Sequence, residues 1–493
     1  MAALSETDTA VPTPETAARG RLWLLLGLAL ALLASLPAIL ARYPQMTDYP
    51  AHLARYHVML EIAHNPVLQR FYSFDWWWSG NLGADLLIQP LAAVFGLELG
   101  GRILVILIPA LNGFAILAVE WALRRRIGFG SFLAMLFIWS PALLLGFLNF
   151  TLSLAAMLFA FAAWVLLEGK RWRALVMAPF AVVVWLCHVS GWGILGLAVF
   201  GYEWQRRGNW TALLAPLPLC LPFIPLLAGG GTKGLFSYGP NVQAYKLAIW
   251  MQAMRDQWRP VDQYSLAYVL GIILLAVVIR KIDWRLGSGA LAVLIGSIVI
   301  PRHIFGGDLA DSRMISTGLM LMCLAIEWRP PLVLMLSAPA LFLARLEITT
   351  SAWQVNSRET EVLLGALDHL PRGARVASAV QTEIIAWFYS PLEHICGYAV
   401  VRRDALSNCN FALPKVHMLK VNHLGREFAD PSHRIRRRPH KPVELADFAP
   451  ARHTDYLWYV GPIAPSSLPQ GAQIIWRSPH SFLARLAKPD AQR

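Results

Sequence analysis

The sequence contains about eleven apolar runs, many of them close to the ~20 residues that a helix needs to cross a lipid bilayer. Backbone in contact with lipid must satisfy its hydrogen bonds internally, which helices do. We therefore predict an α-helical polytopic membrane protein with about eleven transmembrane helices. The candidate segments are 21–41, 100–123, 129–148, 150–168, 172–190, 191–204, 210–228, 264–280, 287–301, 314–328 and 332–346.

The composition agrees with a membrane protein. Hydrophobic residues make up 56% of the 493 residues and charged residues only 15%, with a mean hydropathy of +0.48. Soluble domains are nearer about 25% charged. The net charge of +13 raises nucleic-acid binding as an alternative, but most arginines lie in short loops between apolar runs, where basic residues set topology. We therefore expect membrane lipids, and no nucleic acid, as partners.

The basic loops predict an orientation. We expect residues 1–20 to form a polar, disordered cytoplasmic tail. The apolar run that follows them lacks the cleavage site of a signal peptide, so we expect a retained helix. With the N-terminus in the cytoplasm, all the basic loops fall on the cytoplasmic side. These loops are 124–126, 170–173, 206–207, 280–285 and 328–329. An odd number of crossings then places the C-terminus outside, in the periplasm of a bacterial inner membrane.

This topology puts four segments outside the membrane: 42–99, 229–263, 301–313 and the chain after about 347. In the first of them, apolar residues recur at helical spacing within PAHLARYHVMLEIAHN, and FDWWWSG and LLIQPLAAVFG follow. Amphipathic helices with tryptophan nearby are typical of the membrane interface. We therefore predict interfacial helices in the first outer loop, within a transmembrane domain that spans 21–346.

The C-terminal region 347–493 has a different character. EVLLGALDHL is helix-like, while ARVASAV, DYLWYVG and AQIIWRS are strand-like, which predicts a small periplasmic α/β domain. Cys396 and Cys409 lie in this region, and an extracytoplasmic location would permit a disulfide between them. The dense basic run 433–441 is either a solvated loop or a site for anionic lipid headgroups.

Several catalytic signatures are absent from the sequence. There is no CxxC pair, HExxH, GxxxxGK[ST], strand-linked GxGxxG or GxSxG. This pattern disfavours ATP-driven transport and metalloprotease chemistry. Catalysis, if the protein is an enzyme, is expected from scattered carboxylates, histidines and arginines at the outer membrane surface.

Asp48 is the strongest catalytic candidate because it directly follows the first helix, in QMTDYPAHLAR. If 49–64 is helical, Asp48, His52 and Arg55 fall on one side of it, at spacings i, i+4 and i+7. A carboxylate near low-dielectric lipid can act as a general base. The alternative is that Asp48 caps this helix, with Pro50 in its first turn.

A second group of ionisable residues occurs in PRHIFGGDLADSR, residues 301–313. Such residues at membrane depth are costly and indicate function. Arg302 and Arg313 can hold a phosphate in a bidentate manner. Asp308 and Asp311 either pair with these arginines or ligate a divalent cation. The alternative for the whole stretch is a salt-bridged interfacial loop.

Other polar residues carry weaker signals. His188, in WLCHVSGW, is either a ligand or a hydrogen-bonded packing residue, and Asn149 is a candidate helix cap. The loop 229–263 contains four basic residues among aromatics, which suits either an anionic headgroup or interfacial anchoring. These residues are Lys233, Lys246, Arg255 and Arg259.

The pattern resembles the GT-C superfamily of membrane glycosyltransferases, which includes protein O-mannosyltransferases and lipid A aminoarabinose transferases. That family carries its catalytic acid in the first outer loop just after the first helix, where TDYPAHLAR places Asp48. The resemblance implies that Asp48 deprotonates an acceptor, and that basic residues of later outer loops hold the lipid phosphate of the donor. Arg302 and Arg313 match by location. Many relatives have two adjacent acidic residues, whereas Tyr49 follows Asp48 here.

The resemblance predicts transfer of a sugar from a polyprenyl-phosphate donor to a lipid or glycan acceptor at the outer face. Besides Asp48, the candidate substrate-binding residues are His52, Arg55, His188, Arg302, His303 and Arg313. The alternatives are a lipid-linked-sugar flippase, an O-antigen ligase or polymerase, and a non-catalytic scaffold. A flippase needs a polar path through the bilayer, whereas the charged residues of this chain cluster at the predicted outer surface.

Overall fold

A computed structural model describes residues 14–228, 236–304, 307–382, 386–414, 416–422, 426–430, 432, 435–436 and 440–487. Its described part is mostly helical, with a small sheet near the C-terminus. The α-helices are α1 (Pro14–Leu33), α2 (Leu36–Leu40), α3 (Tyr49–Glu61), α4 (Pro66–Gln69), α5 (Gly83–Phe95), α6 (Leu97–Arg124), α7 (Phe129–Met135), α8 (Pro141–Leu145), α9 (Leu148–Leu166), α10 (Arg173–Cys187), α11 (Val189–Arg207), α12 (Phe223–Ala228), α13 (Val242–Met251), α14 (Arg259–Val278), α15 (Trp284–Val299), α16 (Ala310–Leu324), α17 (Leu332–Leu364), α18 (Gly397–Arg403) and α19 (Arg426–Ala429).

Four helices in the described part of the chain are long and apolar enough to cross a membrane. They are α6, α9, α14 and the helical segment Leu332–His369 that begins with α17. The shorter apolar helices of 10–17 residues are Gly20–Leu33, Gly83–Phe95, Arg173–Cys187, Trp210–Leu219 and Trp284–Val299. The chain therefore has the apolar helices of a membrane protein, but the predicted count of about eleven crossings is not confirmed.

Two of the predicted membrane helices are interrupted. Segment 129–148 consists of α7, a turn, and α8, which begins at Pro141 and ends before Gly146. Segment 210–228 contains two short 3₁₀ helices and α12, in a stretch that includes Pro216 and Pro218. Proline lacks the N–H that an α-helix needs and disfavours helical backbone in the preceding residue. The prediction of one continuous helix was therefore wrong in both places.

The first outer loop contains the predicted helix, which is α3 and buries one face against the core. The loop continues through α4, strand β1 (Tyr72–Phe74) and the apolar helix α5. Trp76 and Trp78, between β1 and α5, are 49% and 69% exposed. Large exposed aromatics beside apolar helices are typical of anchoring at a membrane interface.

The strands after β1 are β2 (Arg375–Gln381), β3 (Leu406–Ser407), β4 (Leu419–Val421), β5 (Ile435–Arg436), β6 (Tyr456–Val460), β7 (Gln473–Ser478) and β8 (Ser481–Arg485). In the larger sheet the order is β3-β2-β6-β8-β7, and β5 also pairs with β2. Strands β3, β2 and β6 are parallel, and β6, β8 and β7 are antiparallel. The three strand-like sequence stretches thus correspond to β2, β6 and β7.

The C-terminal region is joined to the rest of the protein by long-range contacts. Helix α17 crosses the predicted boundary at residue 347 without a break, so a division at that residue falls inside a helix. Strand β4 pairs antiparallel with β1 of the first outer loop. The main hydrophobic core runs from Leu30 to Leu483. A disulfide links Cys396 and Cys409, as their shared location permitted. Most of the predicted lipid site at 433–441 lies outside the described residues, and so does Lys233.

A buried polar network fixes the outer segment between α13 and α14 against α17. Asp262 accepts hydrogen bonds from Arg345 Nη1 at 2.6 Å, from Trp387 Nε1 at 2.6 Å and from the backbone N–H of Asp256 at 2.7 Å. The Asp256 carboxylate accepts a hydrogen bond from Thr349 Oγ1 at 2.5 Å. Burial raises the pKa of Asp256 to about 6, although the charge of Arg345 opposes this shift.

We predict that Asp256→Asn makes the stability of the protein less dependent on pH. An unfolded aspartate titrates near pH ~3.9, so the folded protein binds this proton more tightly than the unfolded chain does. Stability is therefore lost as the pH rises from that value through the folded-state pKa, by at most about 3 kcal/mol. The thermal midpoint in detergent, measured from pH 4.5 to 7.5, should fall less in the variant than in the wild type. Asp447, whose side chain is 96% exposed, supplies the control Asp447→Asn. Equal slopes in the wild type and Asp256→Asn would contradict the prediction.

Candidate active site

Asp48 is placed by backbone contacts with the interrupted helix after α7. The N–H groups of Thr47 and Asp48 donate to the carbonyls of Leu144 and Leu145, at 3.3 and 2.9 Å. The chain then turns at Gly146, whose φ is +93°. A Cβ atom on Gly146 would lie 3.1 Å from both Cβ and N of Asp48. A residue without a side chain is therefore needed for this close approach.

The side chain of Asp48 does not act as the helix cap that its position suggested. Asp48 occupies the N-cap position of α3, and Pro50 lies in the first turn, as the alternative interpretation required. Its side chain, however, makes no capping hydrogen bond to that turn. The carboxylate is 17% exposed and points instead towards two charged or titratable side chains, from α16 and from the C-terminal region.

The C-terminal partner is His394, which the sequence did not identify. Its Nε2 lies 3.5 Å from Oδ1 of Asp48, and its Nδ1 lies 2.8 Å from the carbonyl oxygen of Cys409. The side chain of His394 is only 2% exposed. The disulfide between Cys396 and Cys409 closes the loop that follows His394.

The partner from α16 is Arg313. Its positive charge attracts the Asp48 carboxylate, and its guanidinium lies over the Phe147 ring at 4.1 Å. Arg313 Nη2 donates to the carbonyl of Asp308 at 3.1 Å, while Nη1 lies 3.2 Å from Nε2 of His188. The Nε atom is buried and has no hydrogen-bond partner among the residues that the structure describes. Part of the hydrogen-bonding capacity of this arginine is therefore unused.

The ring of His188 is oriented by the start of α11. Its Nδ1 accepts a hydrogen bond from the backbone N–H of Ser190 at 3.0 Å. Since a backbone N–H can only donate, Nδ1 must be unprotonated, and the hydrogen of a neutral imidazole lies on Nε2. That N–H faces the Nη1 of Arg313, which is also a donor. Two donors thus converge, and an anionic oxygen between or beside them would satisfy both.

His52 lies in the first turns of α3, beside the chain turn at Gly146. Its Nε2 is 3.1 Å from the carbonyl oxygen of Gly146, which can only accept, so Nε2 carries the hydrogen. Its Nδ1 is then an acceptor, and this atom is buried without a partner among the described residues. Burial, and to a smaller extent the charge of Arg55, lowers the pKa of His52 to about 3. His52 is therefore a neutral acceptor at physiological pH.

Arg55 makes an ion pair that joins α3 to α5. Arg55 Nη2 lies 2.6 Å from Oδ1 of Asp85, a fully buried residue of α5. Asn149 donates to Oδ2 of Asp85 at 3.2 Å and accepts from the N–H of Ala84 at 2.6 Å. Asn149 thus joins α9 to the start of α5. Through Arg55 and Asp85, this network joins α3 to α5 and α9.

The second predicted cluster, 301–313, separates into two environments. Arg302 makes a bidentate pair with Asp308, at 2.7 and 2.9 Å, and His303 Nδ1 lies 3.3 Å from the same carboxylate. Asp311 pairs with Lys246 at 2.6 Å. These contacts match the salt-bridged loop of the alternative interpretation. In the described part of the chain, no group of three or more histidine, cysteine, aspartate or glutamate side chains is arranged to hold a metal ion.

The remaining basic residues of segment 229–263 make internal contacts. Arg255 donates to the carbonyls of Ala386 and Phe388, at 3.2 and 3.4 Å, and lies 4.0 Å from the centre of the Tyr389 ring. Arg259 lies 5.4 Å from the ring of Trp387. Together they hold the segment before α18 against the base of α14.

Aromatic residues of the C-terminal region complete the surroundings of Asp48, and sequence reasoning did not find them. The ring of Phe411 lies 4.8 Å from His394, 6.2 Å from His52 and 5.6 Å from His417. Burial lowers the pKa of His417 to about 3, so this histidine is also neutral. The available signal was the pair Cys396 and Cys409, which directly precedes this segment.

The sequence matches no protein-family model and no curated protein. Among solved structures, the chain is similar to the crystal structure of ArnT from Cupriavidus metallidurans in the apo state. The two chains are 11% identical and align with a TM-score of 0.42, over 96% of this chain and 99% of that chain. At this identity and this TM-score, the likeness establishes neither a shared fold nor a shared function.

We predict that Gly146→Ala destabilises the protein more than Gly208→Ala does. Both glycines have left-handed backbone, with φ values of +93° and +64°, so each alanine meets a backbone strain of roughly 1–2 kcal/mol. Nothing lies within 4 Å of a Cβ at Gly208, whereas a Cβ at Gly146 presses against Asp48. The thermal midpoint of each variant is measured in detergent. The extra loss in Gly146→Ala over Gly208→Ala reports the contact of the new Cβ with Asp48. Equal losses in the two variants would show that the Asp48 backbone does not depend on Gly146.

Proposed function

We propose that this protein is an integral membrane glycosyltransferase that moves a sugar from a polyprenyl-phosphate donor to a lipid or glycan acceptor outside the cytoplasm. Asp48 is the general base. The resemblance of TDYPAHLAR to the first outer loop of GT-C enzymes motivates the reaction class. Nucleotide sugars are not available outside the cytoplasm, so the donor is lipid-linked.

The observation that carries the proposal is a carboxylate beside several hydrogen-bond donors that face one another. Asp48 interacts with Arg313, and Arg313 shares with His188 a point where two N–H donors face each other. The buried Nε of Arg313 adds a third donor without a partner among the described residues. A phosphate oxygen fits this donor set, because guanidinium groups bind phosphate through several parallel hydrogen bonds. A base next to a phosphate site is the arrangement that glycosyl transfer from a lipid phosphate requires.

The proposed reaction moves one proton and one glycosyl group. Asp48 takes the proton from the acceptor hydroxyl as the hydroxyl oxygen attacks the anomeric carbon of the donor. The bond between that carbon and the phosphate oxygen breaks, and the electron pair stays on the phosphate. Arg313 and His188 donate hydrogen bonds to the phosphate as its charge increases, a type of stabilisation that contributes strongly to catalysis.

His52 has the chemistry of a sugar-binding group in this proposal. Its Nδ1 is a neutral acceptor that no described residue uses, and a sugar hydroxyl is a suitable donor for it. The nearby ring of Phe411 offers an apolar surface of the kind that packs against a sugar ring. Arg55 acts indirectly in this scheme, because its charge is neutralised by Asp85.

We predict that Asp48→Asn abolishes transfer while leaving the protein folded. The amide cannot accept the proton but has nearly the same shape as the carboxylate, so the loss should be at least about 100-fold, the range typical for a general base. Wild type and variant are compared in detergent with a panel of radiolabelled polyprenyl-phosphate sugars and a membrane-lipid extract as acceptor. Thermal unfolding and gel filtration establish that the variant is folded.

Each result of this assay has a defined meaning. Labelled product from the wild type and none from Asp48→Asn supports the proposal. Equal product from both proteins rules out Asp48 as the base. If the wild type gives no product with any donor but moves labelled lipid across the bilayer of proteoliposomes, the transporter alternative replaces the enzyme.

We predict that Arg313→Gln and Arg302→Gln have unequal effects, although the sequence pattern predicts the same role for both arginines. Arg302 is neutralised by a bidentate pair with Asp308, whereas Arg313 has an unused donor and lies at Asp48. Loss of one transition-state donor costs about 100–1,000-fold in kcat, so Arg313→Gln should fall in that range. Arg302→Gln should remain within a few-fold of wild type. The reverse order would place the phosphate at Arg302.

A further inference from the structure

The contact between His394 and Asp48 indicates where a proton lies between these two side chains. The Nδ1 of His394 lies 2.8 Å from the Cys409 carbonyl oxygen. A carbonyl oxygen can only accept, so Nδ1 carries a hydrogen. The remaining ring nitrogen, Nε2, is the atom that faces Oδ1 of Asp48, at 3.5 Å. If His394 were neutral, the lone pair of its unprotonated Nε2 would face the ionised carboxylate of Asp48.

Two acceptors in contact inside a protein repel each other, and neither is solvated well enough to relieve the repulsion. His394 is 2% exposed and Asp48 is 17% exposed. A single proton between them removes the conflict, either as imidazolium with carboxylate or as neutral imidazole with carboxylic acid. The nearby positive charge of Arg313 favours the ionised form of Asp48 and therefore places the proton on His394.

We propose that His394 is a positioning residue for Asp48, and that its imidazolium keeps the carboxylate ionised and oriented as a base. This inference rests on the proposed function only for its effect on transfer. In the reaction the proton of the acceptor moves to Asp48, while His394 keeps both of its hydrogens. The proton on Asp48 is released to water after the glycosylated product leaves.

The geometry that supports this role extends through the C-terminal region. The disulfide between Cys396 and Cys409 closes the segment that begins just after His394. Gly397, at the start of α18, lies so close to α3 that a Cβ on it would be 2.2 Å from the carbonyl oxygen of Pro50. The backbone just after His394 is therefore packed directly against the first turn of the helix that follows Asp48.

Three other charged or titratable groups among the described residues lie near the pair. They are Arg313 from α16, His52 from α3 and His417 beyond the Phe411 ring. Burial lowers the pKa values of His52 and His417 to about 3, so both stay neutral above that range. None of these three groups accounts for the proton that we assign to Asp48 and His394.

Two measurements on the full-length protein in detergent test the proposal, and the first needs no transfer activity. The imidazoles are labelled with ¹⁵N in the wild type, and the His394 signal is assigned by its absence in His394→Gln. Its titration is then followed in the wild type and in Asp48→Asn. We expect the midpoint to fall by about one pH unit or more when the carboxylate is removed. An unchanged midpoint would overturn the proposal.

The second measurement is the pH dependence of transfer in His394→Gln. Without the imidazolium, Asp48 is protonated more easily, so the acid limb of the kcat profile should move about one pH unit higher. We expect kcat to fall by up to about tenfold on the acid side of the profile and to recover at alkaline pH, with the acceptor KM unchanged. The matched control is His64→Gln, at an exposed residue just after α3.

The two measurements separate this inference from the proposed function. A loss of activity that is equal at all pH values would indicate a purely structural role and overturn the inference. A shifted ¹⁵N titration in a protein that transfers no sugar from any donor would support the coupling of His394 and Asp48, while rejecting the glycosyltransferase.

Discussion

The candidate site depends on how the chain satisfies the carbonyl groups at the end of the short helix α8. Helix α8 ends at Leu145, where carbonyls normally used by the next turn have no helical partner. The N–H groups of Thr47 and Asp48 fill these positions, so the start of α3 is fixed on the end of α8 by main-chain bonds. Unpaired backbone groups are costly near lipid, which makes this junction rigid. Gly146 leaves room for this close approach, so the backbone position of Asp48 does not depend on the contacts of its side chain.

A second constraint comes from the C-terminal region, which closes over the first outer loop. Strand β4 pairs with β1, His57 lies 2.7 Å from Asp404, and Arg402 pairs with Glu98 through two contacts of 2.8 Å. These contacts join residues that are more than 300 positions apart in the sequence. They bring the segment that carries His394 and Phe411 to Asp48. The C-terminal region therefore contributes to the candidate site directly, in addition to any role in guiding an acceptor.

The sequence predicted local features well because local patterns determine them. The amphipathic spacing in residues 50–65 predicted α3, and alternating apolar residues predicted β2 and β6. Prolines were underestimated, so two interrupted segments were interpreted as single helices. The distinction between Arg302 and Arg313 was not accessible, because it depends on which side chain each one meets in the fold. His394 and Asp85 were missed for the same reason, since each matters through a partner that is distant in sequence.

The charges around Asp48 place a condition on the order of events in the proposed reaction. With the phosphate site empty, Arg313 attracts the carboxylate and weakens it as a base. When the lipid phosphate of the donor binds, its negative charge offsets that of Arg313, and Asp48 becomes a better proton acceptor. The carboxylate would then reach its full strength only when the donor is in place.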